Sequence, residues 1–364
     1  MQGGAVAQLS NLTNGNLTLN GTAAGGGNLT VTGTGSVLRF MNGTARTVTV
    51  ANNVTVGAGA TFAVATTGTA VANELSIGGN LTNNGTFDMS DGTGAGVRRA
   101  RVTFTGTSNA TISGTGATTD FNVLRVNKGT SQTPILDVTA SNFTLSGPTT
   151  TNKSLVLENG TFRISAGHTI TLSTGSPNYI IPGTARLWVS HPSAIARIQS
   201  GSSDNQLVLE GTLQLSDGQI QIGNDNTGVA ENSIVYRDNT SVIEVSGGTL
   251  TVGAAIRPEN ASSPTQLIYT QSGGTVILSN NRANAPNATP PGVNQNTVAD
   301  LLIRNAGSQF NMSGGLLRID RRNPVGGAGG SGIAIRIDNA SHNVTGGTVQ
   351  VISSATLVVQ AVGT

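Results

Sequence analysis

The chain has 364 residues, of which 50 are Gly and none is Cys, with only 3% aromatic and 10% charged side chains. Nineteen basic against 17 acidic residues leave a formal charge of +2, which argues against an electrostatically driven nucleic-acid binder. The lack of Cys removes disulfides, thiolate metal sites and Cys nucleophiles, and no apolar run approaches the roughly 20 residues of a membrane-spanning helix.

From the N-terminus onward, short runs alternate apolar and polar residues: Asn28-Leu-Thr-Val, Thr47-Val-Thr-Val, Asn53-Val-Thr-Val, Thr61-Phe-Ala-Val and Val123-Leu-Arg-Val. The pattern continues through Thr161-Phe-Arg-Ile, Thr169-Ile-Thr-Leu, Thr212-Leu-Gln-Leu, Thr249-Leu-Thr-Val, Thr275-Val-Ile-Leu and Thr348-Val-Gln-Val. A period of two with β-branched residues, bounded by Gly or Asn, is the signature of a strand followed by a turn. Disordered chains lack such periodicity, and no amphipathic helical run occurs. The chain reads as all-β.

Repetition selects the architecture. Asp238-Asn-Thr-Ser-Val-Ile-Glu-Val-Ser-Gly-Gly-Thr-Leu-Thr-Val recurs in variant form from Asn305 and again from Asp338, with a half-copy at Ser272-Gly-Gly-Thr-Val-Ile-Leu. The starts are 67 and 33 residues apart, and 67 is close to twice 33. A 33-residue unit of three strands cannot bury its own apolar face, whereas stacking does so. The expectation is a right-handed parallel β-helix, a β-solenoid with about 33 residues and three strands per coil. At the ~4.8 Å strand spacing, about eleven coils would make a rod of roughly 50 Å. Small aliphatic layers would fill the interior, and Asn and Gly would supply left-handed corners. The same register predicts that Gly247, Gly314 and Gly346 lie over one another, with Val252, Ile319 and Val351 stacked inside.

Residues 1–364 read as one continuous solenoid. The Pro- and Asn-rich stretch near 279–298 reads as a projecting loop and 324–332 as a Gly-rich insertion. Residues 173–203, which hold Trp188, Tyr179, Pro177, Pro182 and Pro192, read as the most irregular part and the first place to seek a partner. Met1-Gln-Gly-Gly has neither the basic nor the apolar stretch of an export signal, so the expectation is a mature or excised segment.

Little in the chain assembles a reaction centre. His168, His191 and His342 are far apart and lie in no ligand or nucleophile motif. Asp88-Met-Ser-Asp91 holds the near-neighbour carboxylates that acid–base chemistry on a polysaccharide would need. Followed by Gly92-Thr-Gly-Ala-Gly, it reads better as a solvated turn. Asn224-Asp-Asn-Thr-Gly lacks the alternating acid pattern and distal Glu of a calcium loop and reads as an Asx-capped corner. Catalytic, cofactor and metal residues are therefore expected to be none. The basic clusters Arg98-Arg-Ala-Arg101 and Arg318, Arg321, Arg322 read as solvated corners, with no aromatic residues beside them to stack on bases. Eighteen Asn-x-Ser/Thr sites, including Asn11, Asn42, Asn84, Asn159, Asn239 and Asn343, read as corner chemistry.

The iterated Asn-Leu-Thr-Val and Asn-Gly-Thr-Phe-x-Ile units, with Phe121-Asn-Val-Leu-Arg-Val-Asn-Lys before a Gly-Thr corner, resemble the large repetitive cell-surface proteins of Bacteroidetes. Those are adhesin-like solenoids of the kind exported by the type IX system. The resemblance implies an extracellular, surface-attached or filament-forming role without enzymatic activity, possession of a cofactor or a membrane span. The C-terminus departs from that pattern by ending on Leu357-Val-Val-Gln-Ala-Val without a sorting domain. Uncapped ends predict either an interior piece of a longer protein or a subunit that associates end to end. Surface glycans are the other expected partners. The competing readings are a polysaccharide lyase or hydrolase and a trimeric, glycan-binding phage tail-spike.

Overall fold

A computed structural model describes residues 6–8, 16–20, 27–41, 43–91, 98–147, 153–173, 178–198, 206–223, 232–259, 264–279, 299–321, 333–353 and 358–362. The expected loop at 279–298, apart from Ser279, and the insertion at 324–332, apart from its neighbours, lie outside these residues, as do Asn224-Asp-Asn-Thr-Gly, Asn11 and Asn42. The chain divides into two compact units, Met1–Ile170 and Thr171–Thr364.

Each unit is a parallel β-solenoid. In the first, strands Val6–Gln8, Val37–Phe40, Thr61–Val64, Thr86–Asp88, Thr118–Phe121 and Thr144–Leu145 pair in sequence as a six-stranded sheet forming one face. The two strands between each consecutive pair build the other two faces, so three strands make a coil, as expected. In the second unit the corresponding face is a seven-stranded sheet running from Tyr179–Ile181 to Val358–Val362. Among the described residues there is no helix, and so none long and apolar enough to cross a membrane.

Alternation does what the sequence pattern requires. In Thr47–Val50, Val48 and Val50 are buried and the two Thr are half-buried. The predicted columns form as well. Val252, Leu278, Ile319 and Val351 are successive register partners. A Cβ added to Gly247, Gly273, Gly314 or Gly346 would lie 2.2, 2.3, 2.3 and 2.5 Å from a carbonyl oxygen of the preceding coil, at Ser216, Ser246, Ser272 and Ser313 respectively. Glycine is conserved through this column because backbone meets backbone there. Left-handed corners are also present: Asn305 and Asn339 have φ of 81° and 54°.

The coil length departs from a fixed 33. Val37 partners Thr61, 24 residues on, whereas Thr86 partners Thr118, 32 on. The 67-residue spacing does span two coils, but unequal ones: Val242 partners Ile268 after 26 residues and Ile268 partners Gln309 after 41. The longer coil contains the Pro- and Asn-rich stretch. Corners, which make no ladder, absorb the difference at little cost. Residues 173–203 also depart from expectation, because Tyr179–Ile181, Ala185–Val189 and Ile195–Ile198 form three faces of a regular coil.

The interior differs between units. In the first, Phe40, Phe62, Phe87, Phe121, Phe143 and Phe162 form an unbroken run of ring contacts with centroids 5.3–6.3 Å apart. Low aromatic content thus conceals an aromatic column. The second unit buries Tyr179, Tyr236 and Tyr269. The Tyr236 hydroxyl donates to the Leu302 carbonyl (3.1 Å) and accepts from the Arg304 N–H (3.3 Å), whereas the Tyr179 hydroxyl has no partner. Tyr236→Phe is therefore expected to cost about 1–3 kcal/mol, since it leaves buried backbone groups unpaired. Tyr179→Phe is expected to be neutral or stabilising, because it removes a desolvated, uncompensated hydroxyl. Urea unfolding midpoints of the two variants check the contrast.

Candidate functional site

The sequence drew attention to Asp88 and Asp91, and the structure separates them. Asp91 turns to Arg98: its Oδ1 accepts the Arg98 N–H at 3.0 Å, its Oδ2 forms an ion pair with the guanidinium, and Arg98 also donates to the Gly68 carbonyl at 3.0 Å. Its side chain is almost fully buried, so the stretch is not the solvated turn expected.

Asp88 meets a residue that local sequence reading did not select. Phe87 packs into the aromatic column, which puts Asp88 on the outer side of the strand, opposite Asp120 of the next coil. Asp120 in turn lies opposite Thr144 of the coil after that. Alternation carries Ser90, Asn122 and Ser146 onto the same side. Asn122 Nδ2 donates to Ser90 Oγ at 3.1 Å, and the Thr144 and Ser146 hydroxyls both donate to Asp120 Oδ1. The Ser90 N–H donates to Asp88 Oδ1 at 3.2 Å. Three consecutive coils thereby assemble a polar grid outside the apolar interior.

This grid is covered rather than solvated. Ser90, Asp120 and Asn122 are buried, Asp88 is half-buried and Thr144 is exposed. The close approach at Gly147 contributes, since a Cβ there would lie 1.6 Å from the Asn122 carbonyl oxygen. Burial pushes the Asp88 carboxyl above the usual carboxylate range; the Ser90 N–H opposes the shift, and the Asp120 and Asp91 charges add to it.

The remaining acids of this unit serve a different purpose. Glu74 pairs with Arg101 at 3.6 Å, Asp137 with Arg163 and Glu158 with Arg125, each between neighbouring coils. Such partly exposed pairs are worth about 0–1 kcal/mol each and help hold register. Arg98 and Arg101, read from sequence as solvated corners, are thus ion-paired, and Arg318 pairs with Asp320 at 2.8 Å. Arg322 and the Arg321 side chain lie outside the described residues.

The other singled-out residues have local partners. His168 Nε2 is 2.8 Å from the Ala140 carbonyl and its ring packs on Phe143, while His191 Nδ1 accepts the Ser193 N–H. Trp188 Nε1 donates to Ser216 Oγ at 2.9 Å. The Asn-Leu-Thr motifs do form corner chemistry: Asn28 Oδ1 accepts the Asn53 N–H, Asn53 Oδ1 the Asn80 N–H and Asn80 Oδ1 the Thr111 N–H, at 2.8–2.9 Å. Sequence reading missed Lys128, which is buried and donates from Nζ to the Thr105 carbonyl at 2.7 Å; burial lowers its pKa.

A second feature lies in the other unit. Ser341–Ser353 pairs along its length with Gln309–Arg321 and has no second strand partner among the described residues. Met312 and Leu317 are 1% and 0% exposed, but their register partners Val344 and Val349 are 56% and 45% exposed. The interior columns therefore emerge at this strand.

No protein-family model, curated protein or solved structure matches the chain.

Proposed function

We propose that this chain is a non-enzymatic, extracellular structural and adhesive β-solenoid of a bacterial surface, and that copies associate end to end through the open strand. The observation that carries this reading is the Ser341–Ser353 edge. It exposes Val344 and Val349 in line with buried columns and contains no Lys, Arg, Asp or Glu. Natural edge strands are usually blunted by charge, Pro or a covering segment, so an uncharged edge with apolar side chains suits strand addition. The occupant we favour is a second copy, whose own coils repeat the same strand spacing and uncharged Asn-Leu-Thr runs. Such a heterologous contact does not close and yields filaments. The ladders of parallel strands leave few free backbone groups for proteases, which fits an extracellular scaffold, and the polar Thr, Asn and Ser faces suit surface glycans.

Sedimentation velocity over a micromolar concentration series, with electron microscopy of the same samples, tests the association. Concentration-dependent elongated oligomers are expected, together with reversion to monomer in Val344→Lys/Val349→Lys. A wild-type monomer at every concentration would sink end-to-end association.

The Asp88–Asp120 pair favours one other reading, acid–base cleavage of a polysaccharide. Release of reducing ends from acidic glycans, abolished by Asp120→Asn, would establish it.

A further inference from the structure

We infer that Asp88, Ser90, Asp120 and Asn122 form a binding site for calcium on the outer side of the first unit. This goes beyond the surface role and does not depend on it.

The charge arrangement is the first reason. Asp88 and Asp120 are in register on neighbouring strands, where like charges directly opposite destabilise a sheet. The unit has six acids, and the other four, Glu74, Asp91, Asp137 and Glu158, each pair with an Arg. This chain neutralises its carboxylates wherever they occur except at this one stack. A divalent cation between the two would do there what Arg does elsewhere.

The second reason is independent of charge. Asn122 is 0% exposed and its Oδ1 has no hydrogen-bond partner, although its Nδ2 is held by Ser90 Oγ. That hydrogen bond fixes the amide head within the grid, beside the end of the strand that carries Asp120. A buried amide oxygen without a donor costs free energy unless something else satisfies it. Two carboxylate oxygens share its condition. The Ser90 N–H takes only Asp88 Oδ1, and the Thr144 and Ser146 hydroxyls both take Asp120 Oδ1. Asp88 Oδ2, Asp120 Oδ2 and Asn122 Oδ1 are thus three oxygens left without donors among the described residues.

The donor chemistry selects the ion. All the available atoms are oxygens, from two carboxylates, one amide and the Ser90 hydroxyl, which disfavours metals that prefer nitrogen or sulfur. The ligands sit on two coils whose spacing the ladder sets. Calcium accepts irregular shells of six to eight oxygens, whereas magnesium demands a near-ideal octahedron. Water entering beside half-buried Asp88 and exposed Thr144 would complete the shell. Two carboxylates place the affinity near the weak end of protein calcium sites, with a dissociation constant on the order of 10⁻⁴–10⁻³ M.

Isothermal titration of the EDTA-stripped full chain with CaCl₂, paired with thermal melting, tests the site. One saturable site per chain is expected, with a rise in Tm of about 5 °C at 10 mM CaCl₂ and a smaller rise with MgCl₂. Asp88→Asn and Asp120→Asn should each weaken binding at least tenfold, whereas Asp137→Asn, which alters an acid paired with Arg163, should leave it unchanged. Asp88 is only half-buried, so its variant keeps the test alive if Asp120→Asn fails to fold. Absence of saturable calcium heat up to 10 mM, or undiminished affinity in Asp88→Asn, would overturn the assignment.

Discussion

Val252→Asp is expected to destabilise the second unit by about 3–5 kcal/mol, because it leaves an uncompensated charge in a sealed interior. Val252 is fully buried, between its register partners Ile222 and Leu278. No cation or spare donor faces it in that column, and a carboxylate there would have to ionise at a large cost or stay protonated. The control is the adjacent position. Thr251 lies half-buried on the outer side of the same strand, between Gln221 and Ile277, and Thr251→Ser should change stability by less than about 0.5 kcal/mol. Urea midpoints measure the difference. Solenoid stability is approximately a sum of coil and nearest-neighbour terms, so native-state amide exchange should accelerate first in Gln219–Ile222 and Thr275–Leu278, the strands flanking the substitution. Equal losses at the two positions would contradict the inward and outward assignment.

Phe87→Ala is the corresponding experiment in the first unit, with an expected cost of about 3–5 kcal/mol. The ring is fully buried and touches Phe62 edge-on at 5.7 Å and Phe121 at 5.3 Å. Its removal loses the transfer free energy of the side chain, leaves a cavity between two rigid coils, and breaks both ring contacts. Ladder hydrogen bonds above and below hold the coils apart, so the cavity cannot collapse easily. Phe87→Leu should recover more than half of the loss by refilling most of the volume. If Phe87→Ala cost under 1 kcal/mol, the continuous aromatic column would not be a stabilising element.

The strands themselves were legible. Thr47-Val-Thr-Val and Thr249-Leu-Thr-Val state which side chains face inward, because a strand has a period of two and one face must leave water. The Gly-Gly repeats at Gly247, Gly314 and Gly346 were enough to show stacking, since only close backbone approach keeps an unsubstituted pair at the same point of successive coils. Asn28, Asn53 and Asn80 announced their corners for the same kind of reason. An amide oxygen just before a strand can accept the N–H one coil further on.

The candidate site was half legible. Asp88 stood out because it has an acidic near-neighbour, but that neighbour, Asp91, belongs to Arg98. The residue that matters, Asp120, lies 32 positions downstream in Thr-Thr-Asp-Phe, which has no local peculiarity. The aromatic column was hidden for the same reason. Its six Phe residues are spread from Phe40 to Phe162, and their separations in sequence follow no single period.

The amino-acid sequence alone therefore determined the all-β class, the inward and outward alternation and the stacking of coils, each of which follows from periodicity within a strand or identity between repeats. Only the tertiary structure decided which residues from different coils meet. That depends on the length of every intervening corner, and corners of 22-residue and 41-residue coils, such as those joining Ile234 to Ile256 and Ile268 to Gln309, serve the same ladder. Strand pairing rewards the register in which apolar columns and backbone hydrogen bonds are continuous, and the corner takes whatever length remains. Asp88 sits against Asp120 because the ladder puts it there.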